Sequence, residues 1–276
     1  LGTKGQQLER ALVARRPGAG RKQVAAPELP EISGDESLSL AHRVYAALGE
    51  GLMAGAVPPG SSLTSRSLST ALGVSATPVR EALKQLEADG AITSRSKSAF
   101  YVNDPDQHEY KQILELRLAT EGLAVRKAAM VATSADLDYI RSLNDEYKRI
   151  LRSDDSSFSL SLVPNFRFHF AIYRLSRSPI LMNVIETTWL RIGPALHQYM
   201  KMVVDVEPGL NAHEEMIHAL ERKDPNAAES ALRNDLSSAA GLVLPELRRG
   251  SGSDQVDLVE PMSLKKRAGP KPACAR

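Results

Sequence analysis

Four polar residues stand where the chain's own periodicity asks for apolar ones. In "LVPNFRFHFAIY" (162–173), Leu162, Asn165, Phe166, His169, Ile172 and Tyr173 form one helical stripe, so Asn165 and His169 share a face, four residues apart. His213 opens the stripe of Met216, Ile217 and Leu220, and Asp235 sits among Ala228, Leu232, Leu236 and Ala239. If the chain reverses near Asp224 as an αα-hairpin, His213 and Asp235 each lie eleven residues from the turn and therefore at the same height. Buried polar groups of this kind are costly unless they pair or hold a cation. Two imidazole nitrogens, a carboxylate oxygen and an amide carbonyl suit a divalent metal, zinc or another first-row transition metal, with positions left for water or a ligand. Either histidine alone reads as a hydrogen-bonded core residue; it is the four together that read as a metal site. The alternative is a metal-free pocket in which the same cluster hydrogen-bonds an effector. A metal-dependent enzyme is the remote alternative, and no general-base motif such as H-E-x-x-H accompanies the histidines.

A second chemistry lies upstream, in "GVSATPVREALKQLEADG" (73–90). With Ser75 as N-cap, Pro78 falls in the first turn, where its missing N–H costs nothing. Val79, Ala82, Leu83 and Leu86 give the helix a core face, while Thr77, Arg80 and Lys84 give the other face hydroxyl and cationic donors. Such a face suits phosphates and base edges. The preceding elements are those of a helix-turn-helix: a stripe of Ala41, Val44, Tyr45, Leu48 and Leu52 over 39–54, the turn "VPPGSS", and a short helix in "TSRSLSTAL" capped by Thr64 and stopped by Gly73. After Gly90, the β-prone runs "AIT" and "AFYV" flank "SRSKS" and predict a hairpin wing bearing Arg95 and Lys97.

From Asn103 onward no strand pattern stands out. Helices are predicted over about 106–131, 134–152, 157–176, 179–201, 208–222 and 225–248, which makes a six-helix bundle. The fold class is therefore mainly α: a winged helix-turn-helix over 37–103 followed by an all-α bundle over 104–249, each with its own core. The Pro- and Gly-punctuated ends, 1–36 and 250–276, read as disordered tails, the first of them basic, and a basic tail suits nucleic acid.

The 276 residues carry a net charge of only +2, with the acidic excess confined to the middle of the chain. The one cysteine, Cys274, excludes an intrachain disulfide and a cysteine metal site. No apolar run approaches the roughly 20 residues of a membrane helix and no signal-peptide core opens the sequence, so the expected compartment is the cytoplasm, without a membrane partner.

The stretch "VYAALGEGLMAGAVPPGSSLTSRSLSTALGVSATPVREALKQLEADGAI" resembles the DNA-binding domain of GntR-type bacterial transcription regulators. The segments "ILELRLATEGLAVRKAA", "NFRFHFAIY", "SPIL" and "HEEMIHALERKDPNAAESAL" resemble the all-helical effector domain called FCD, found in the FadR-type branch, and six helices match its VanR-like subgroup. The resemblance implies a dimeric, ligand-responsive, DNA-binding regulator, here expected to be a repressor and not an enzyme. It also implies the metal site. Metal-binding members place an Asp four residues before a His and then two further His; here Asn165 takes the Asp position and Asp235 the third His position.

Candidate contacts to a double-stranded, pseudo-palindromic operator are Arg66, Ser75, Thr77, Arg80 and Lys97, with Ser75 sharing its role with capping. Many relatives carry Arg between the Ser and Thr, where it can read guanine bidentately; Ala76 stands there instead, so a different operator is expected. Arg117, one turn before Glu121, and Arg191, after "WL", are the candidates to bind a small organic acid if they face the cavity.

Overall fold

A computed structural model of the chain describes residue 32 and residues 37–96, 99–152, 158–200 and 207–249. Helix α1 (Leu40–Met53) is followed by β1 (Ser62–Leu63), α2 (Ser65–Leu72), α3 (Ala76–Ala88), β2 (Ile92–Ser96) and β3 (Ala99–Val102). The three strands form an antiparallel sheet in the order β1-β3-β2, with Leu63 opposite Phe100 and Ile92 opposite Val102. Strand β1 was not expected: two residues are too short to show an alternating pattern, and pairing with β3 alone defines it. The buried faces of α1 and α3 meet through Val44, Leu48, Leu52, Val79, Leu83 and Leu86, which close the winged core with Leu68 and Ile92.

The six bundle helices are α4 (Gln107–Val131), α5 (Ser134–Leu151), α6 (Phe158–Arg174), α7 (Pro179–Met200), α8 (Glu207–Glu221) and α9 (Pro225–Val243). Their starts follow from capping chemistry. Asp106 accepts from the amides of His108 and Glu109, Thr133 and Asp136 form a reciprocal capping box, and Asp224 accepts from Asn226 and Ala227 with Pro225 at the first helical position. Helix α9 stops earlier than its predicted end near 248. A 3₁₀ turn at Leu244–Glu246 replaces the last turn, because Pro245 has no N–H to continue the α-helical ladder. Ser75 occupies the N-cap of α3 in extended backbone, but its side chain makes no capping bond, which corrects the expected capping role. The predicted tails fall outside the described residues except for Ile32, which packs against the winged core. No helix among the described residues is long and apolar enough to cross a membrane.

The winged unit and the bundle have distinct cores, but one bundle side chain crosses into the winged one. Leu190 of α7 is 2% exposed and belongs to the winged core, while its neighbour Trp189 belongs to the bundle core. Gly193, one turn further, brings the α7 backbone against the end of α1: a Cβ there would stand 2.7 Å from the carbonyl oxygens of both Leu52 and Met53. Backbone carbonyls at a helix end cannot yield as a flexible side chain can. Gly193→Ala should therefore lower stability by about 1–3 kcal/mol in chemical denaturation, as overpacking does. Gly241→Ala on α9, where the added methyl meets nothing within 4 Å, should be neutral or stabilising by up to about 1 kcal/mol in the same assay.

Candidate metal centre and nucleic-acid interface

Helices α6, α8 and α9 bring His169, His213 and Asp235 together, with one ligand atom from each lying within 4.8 Å of the others. The Nε2 atoms of His169 and His213 stand 3.3 Å and 3.8 Å from the two carboxylate oxygens of Asp235. Both imidazoles are buried, whereas the Asp235 side chain keeps 14% of its surface exposed and so opens the cluster on one side.

Hydrogen bonding decides what the ring nitrogens offer. Asn144 of α5 donates its amide N–H to Glu214 (2.8 Å), which turns its carbonyl oxygen toward His213 Nδ1 at 3.0 Å. His213 must therefore carry its proton on Nδ1. The Tyr173 hydroxyl donates to Glu121 at 2.5 Å, so its oxygen accepts from His169 Nδ1 at 3.1 Å. Each ring is thus held by its outer nitrogen, and both Nε2 lone pairs face a carboxylate. Three acceptors converging in a buried site repel unless a positive charge lies between them. One proton on His169 Nε2 would serve, giving an imidazolium–carboxylate pair; a divalent cation fits the whole donor set. Burial pushes His213 down to about 3, despite the attraction of Asp235, so its imidazole is neutral and able to ligate. Burial works to raise the Asp235 carboxyl, but the hydrogen bond and charge of His169, followed by His213 and Arg117, hold it below its ordinary value. Asn165 is half-buried one turn before His169 on α6.

Behind His169 lies a network the sequence only half revealed. Glu121 is fully buried and accepts from Arg117 Nε (2.6 Å), Tyr173 Oη and Trp189 Nε1 (3.0 Å). Arg117 is itself buried, with its guanidinium 4.6 Å above the Trp189 ring. Of the two candidate effector arginines, Arg117 joins the cluster through Glu121 and Tyr173. Arg191 does not: its Nε donates to the carbonyl of Asp89 (3.1 Å) at the C-terminus of α3, and its guanidinium lies against Gly90, where a Cβ would be only 2.3 Å away. Asn144 was missed, although it carries the signal that exposed His169, a polar residue in the apolar stripe of Ile140, Leu143 and Tyr147.

On the winged unit, Arg66, Ser75, Thr77 and Arg80 are all exposed, and Lys84 continues the same face of α3. Arg66 and Arg80 thus expose basic side chains on α2 and α3. Lys97 lies outside the described residues.

The sequence pattern described as "Bacterial regulatory proteins, gntR family" matches residues 40–102, and that of the FCD domain matches residues 112–238. The HTH-type transcriptional regulator McbR of Escherichia coli is 30% identical over 216 residues, 77% of this chain and 96% of McbR. The probable D-xylose utilization operon transcriptional repressor of Paenarthrobacter nicotinovorans is 25% identical over 187 residues, 67% of this chain and 80% of its own length. The solved structure of E. coli McbR/YncC superposes with a TM-score of 0.69 at 28% identity, covering 76% of this chain and 99% of that one. A putative GntR regulator from Rhodococcus sp. RHA1 shares the fold, with a TM-score of 0.62 at 22% identity over 76% of this chain and all of its own. These relatives are transcriptional regulators, not enzymes. A winged helix-turn-helix joined to an FCD bundle, with McbR matched over nearly its whole length, places the chain in the GntR family of DNA-binding transcriptional regulators, in the FCD-bearing FadR branch.

Proposed function

We propose that this regulator is a cytoplasmic homodimeric repressor that senses a small organic carboxylate at a divalent metal held by His169, His213 and Asp235, with Asn165 as a further oxygen ligand. The observation that carries the reading is the convergence of two imidazole lone pairs and a carboxylate on one buried point. A bound cation would supply a Lewis-acidic anchor for a carboxylate, and Asp235, the partly exposed member, lies where a ligand can enter. Arg117 is assigned an indirect role: paired with Glu121, it fixes the Tyr173 hydroxyl that orients His169. Under the metal-free alternative, the same cluster hydrogen-bonds the effector directly.

Coupling to DNA runs through three consecutive residues of α7. The Trp189 ring packs beside that of His169 with centroids 5.7 Å apart, Leu190 sits in the winged core, and Arg191 binds the end of α3. A ligand that repositions Trp189 therefore acts on the setting of α3 without approaching DNA, and it shifts the operator equilibrium by its differential affinity for the two settings. Arg66, Ser75, Thr77, Arg80 and Lys97 are assigned the operator contacts. One short helix reads only a few base pairs, and a twofold dimer on a pseudo-palindrome supplies the rest.

If the cluster holds metal, purified protein should contain it, chelation should lower the melting temperature, and re-addition should restore it, because the Asp235 carboxylate would otherwise lose its cation. His169→Ala and His213→Ala should each lose metal by elemental analysis and lose the effector response; stoichiometric metal in both variants would remove the metal from the reading and leave the hydrogen-bonded pocket. At the other end of the molecule, Arg80→Ala should weaken operator binding by about 1–3 kcal/mol in a titration at fixed salt, if it meets a base edge. Ala76→Arg should raise the preference for G at one position per half-site in operator selection; no shift would mean that α3 does not enter the groove at this residue.

A further inference from the structure

Between the first helix of the winged unit and the bundle lies a cavity of about 500 Å³, apart from the buried histidines. Its size falls within the roughly 300–1,000 Å³ usual for small-molecule sites, and its place between two domains is where such sites concentrate. Tyr45, Gly49 and Glu50 of α1 form one wall. Phe166 and Phe170 of α6, tilted against each other with ring centroids 4.3 Å apart, and Leu190 of α7 form the apolar floor. The charged groups of the cavity are two of each sign. Arg167 stands 3.8 Å from Glu50, too far for a good hydrogen bond, and Arg174 lies over the Phe170 ring at 5.6 Å. Glu186 of α7 is half-buried, and burial raises its carboxyl against the pull of Arg174.

We infer that this cavity is a second effector site, for a free zwitterion with an apolar body, the chemistry of an aromatic or branched α-amino acid. Two loosely held cations and two carboxylates around an aromatic floor match a ligand with one ammonium, one carboxylate and an apolar side chain. A simple anion or a simple amine would satisfy one pair of groups and meet like charge at the other. The ammonium would take Glu186, the carboxylate Arg174 and the side chain Phe166 and Phe170. Tyr45 gives the site a consequence: its hydroxyl donates to Asp89 Oδ2 at 2.7 Å, and Asp89 is the residue whose carbonyl holds Arg191. An occupant would thus touch the end of the recognition helix through one side chain. The inference rests on the family assignment and not on the metal, so the two fail separately.

The test is calorimetric titration of the full chain with L-phenylalanine, then with 3-phenylpropionate and phenethylamine, which each lack one charge. L-Phenylalanine should bind saturably and the two analogues at least about tenfold more weakly, the loss of one charged hydrogen bond. Glu186→Gln and Arg174→Gln should each weaken L-phenylalanine by a similar factor. Ala46→Trp, which fills the cavity from α1, should abolish binding while circular dichroism reports an unchanged fold. Protein treated with a chelator should bind as the untreated protein does. No saturable binding of L-phenylalanine, L-tryptophan or L-leucine overturns the inference, as does equal binding of either analogue. Binding lost on chelation and kept in the cavity variants moves the ligand to the bundle and overturns it equally.

Discussion

A carboxylate shut completely away from water survives only if its charge is answered on every side, and Glu121 is answered by an arginine, a phenol and an indole from three different helices. Much of the bundle's arrangement follows from this group. Because Tyr173 gives its proton to Glu121, its oxygen is left to accept from His169, which turns the second nitrogen of that ring toward Asp235. Because Trp189 gives its N–H to the same carboxylate, α7 is held in register with α4, and the ring is kept beneath Arg117 and beside Phe166 and Phe170. Removing either charge of the Arg117–Glu121 pair would strand the other in an apolar core, a loss of several kcal/mol by the usual measure of broken buried pairs.

The same logic extends outward on the opposite side of the cluster. Asn144 is fixed by Glu214, which also pairs with Lys148, so the orientation of His213 is set by a chain of partners ending at the surface. The two histidines are thus oriented independently, one from the bundle interior and one from its rim. Phe168 stacks on His213 at 4.0 Å and closes the remaining face. What is left open is the Asp235 side.

Most of the architecture was legible because it rests on local signals. The stops and starts at Asp106, Thr133 and Asp224 are short-range hydrogen bonds that any chain with those residues can form, and the winged motif is a contiguous string. His169, His213 and Asp235 were legible for a related reason, since a polar residue inside an apolar stripe marks itself. What could not be read depends on contacts between distant segments. Strand β1 exists only through its pairing with β3, and Asn144 becomes meaningful only once α5 meets α8. Arg117 and Arg191 look equivalent as residues on amphipathic helices, yet one lies in the buried network and the other caps a helix in another domain. The capping role of Ser75 failed for a subtler reason: the backbone takes the N-cap conformation without the side chain completing the bond, which leaves the exposed hydroxyl to outside partners.

Leu190 has a consequence for how this protein can be reassembled. A winged unit cut away at the loop between Val102 and Gln107 would lose a side chain from its own interior, and a bundle kept alone would present that leucine to water. Replacement of this regulator's DNA-reading head, by recombination or by a protein engineer, is therefore not a matter of joining ends at the linker. The incoming head must accept the leucine, the arginine and the bare glycine backbone of α7, so the compatible unit of exchange is a discontinuous one: the head together with residues 190–193 of a helix that lies almost ninety positions downstream of its last strand.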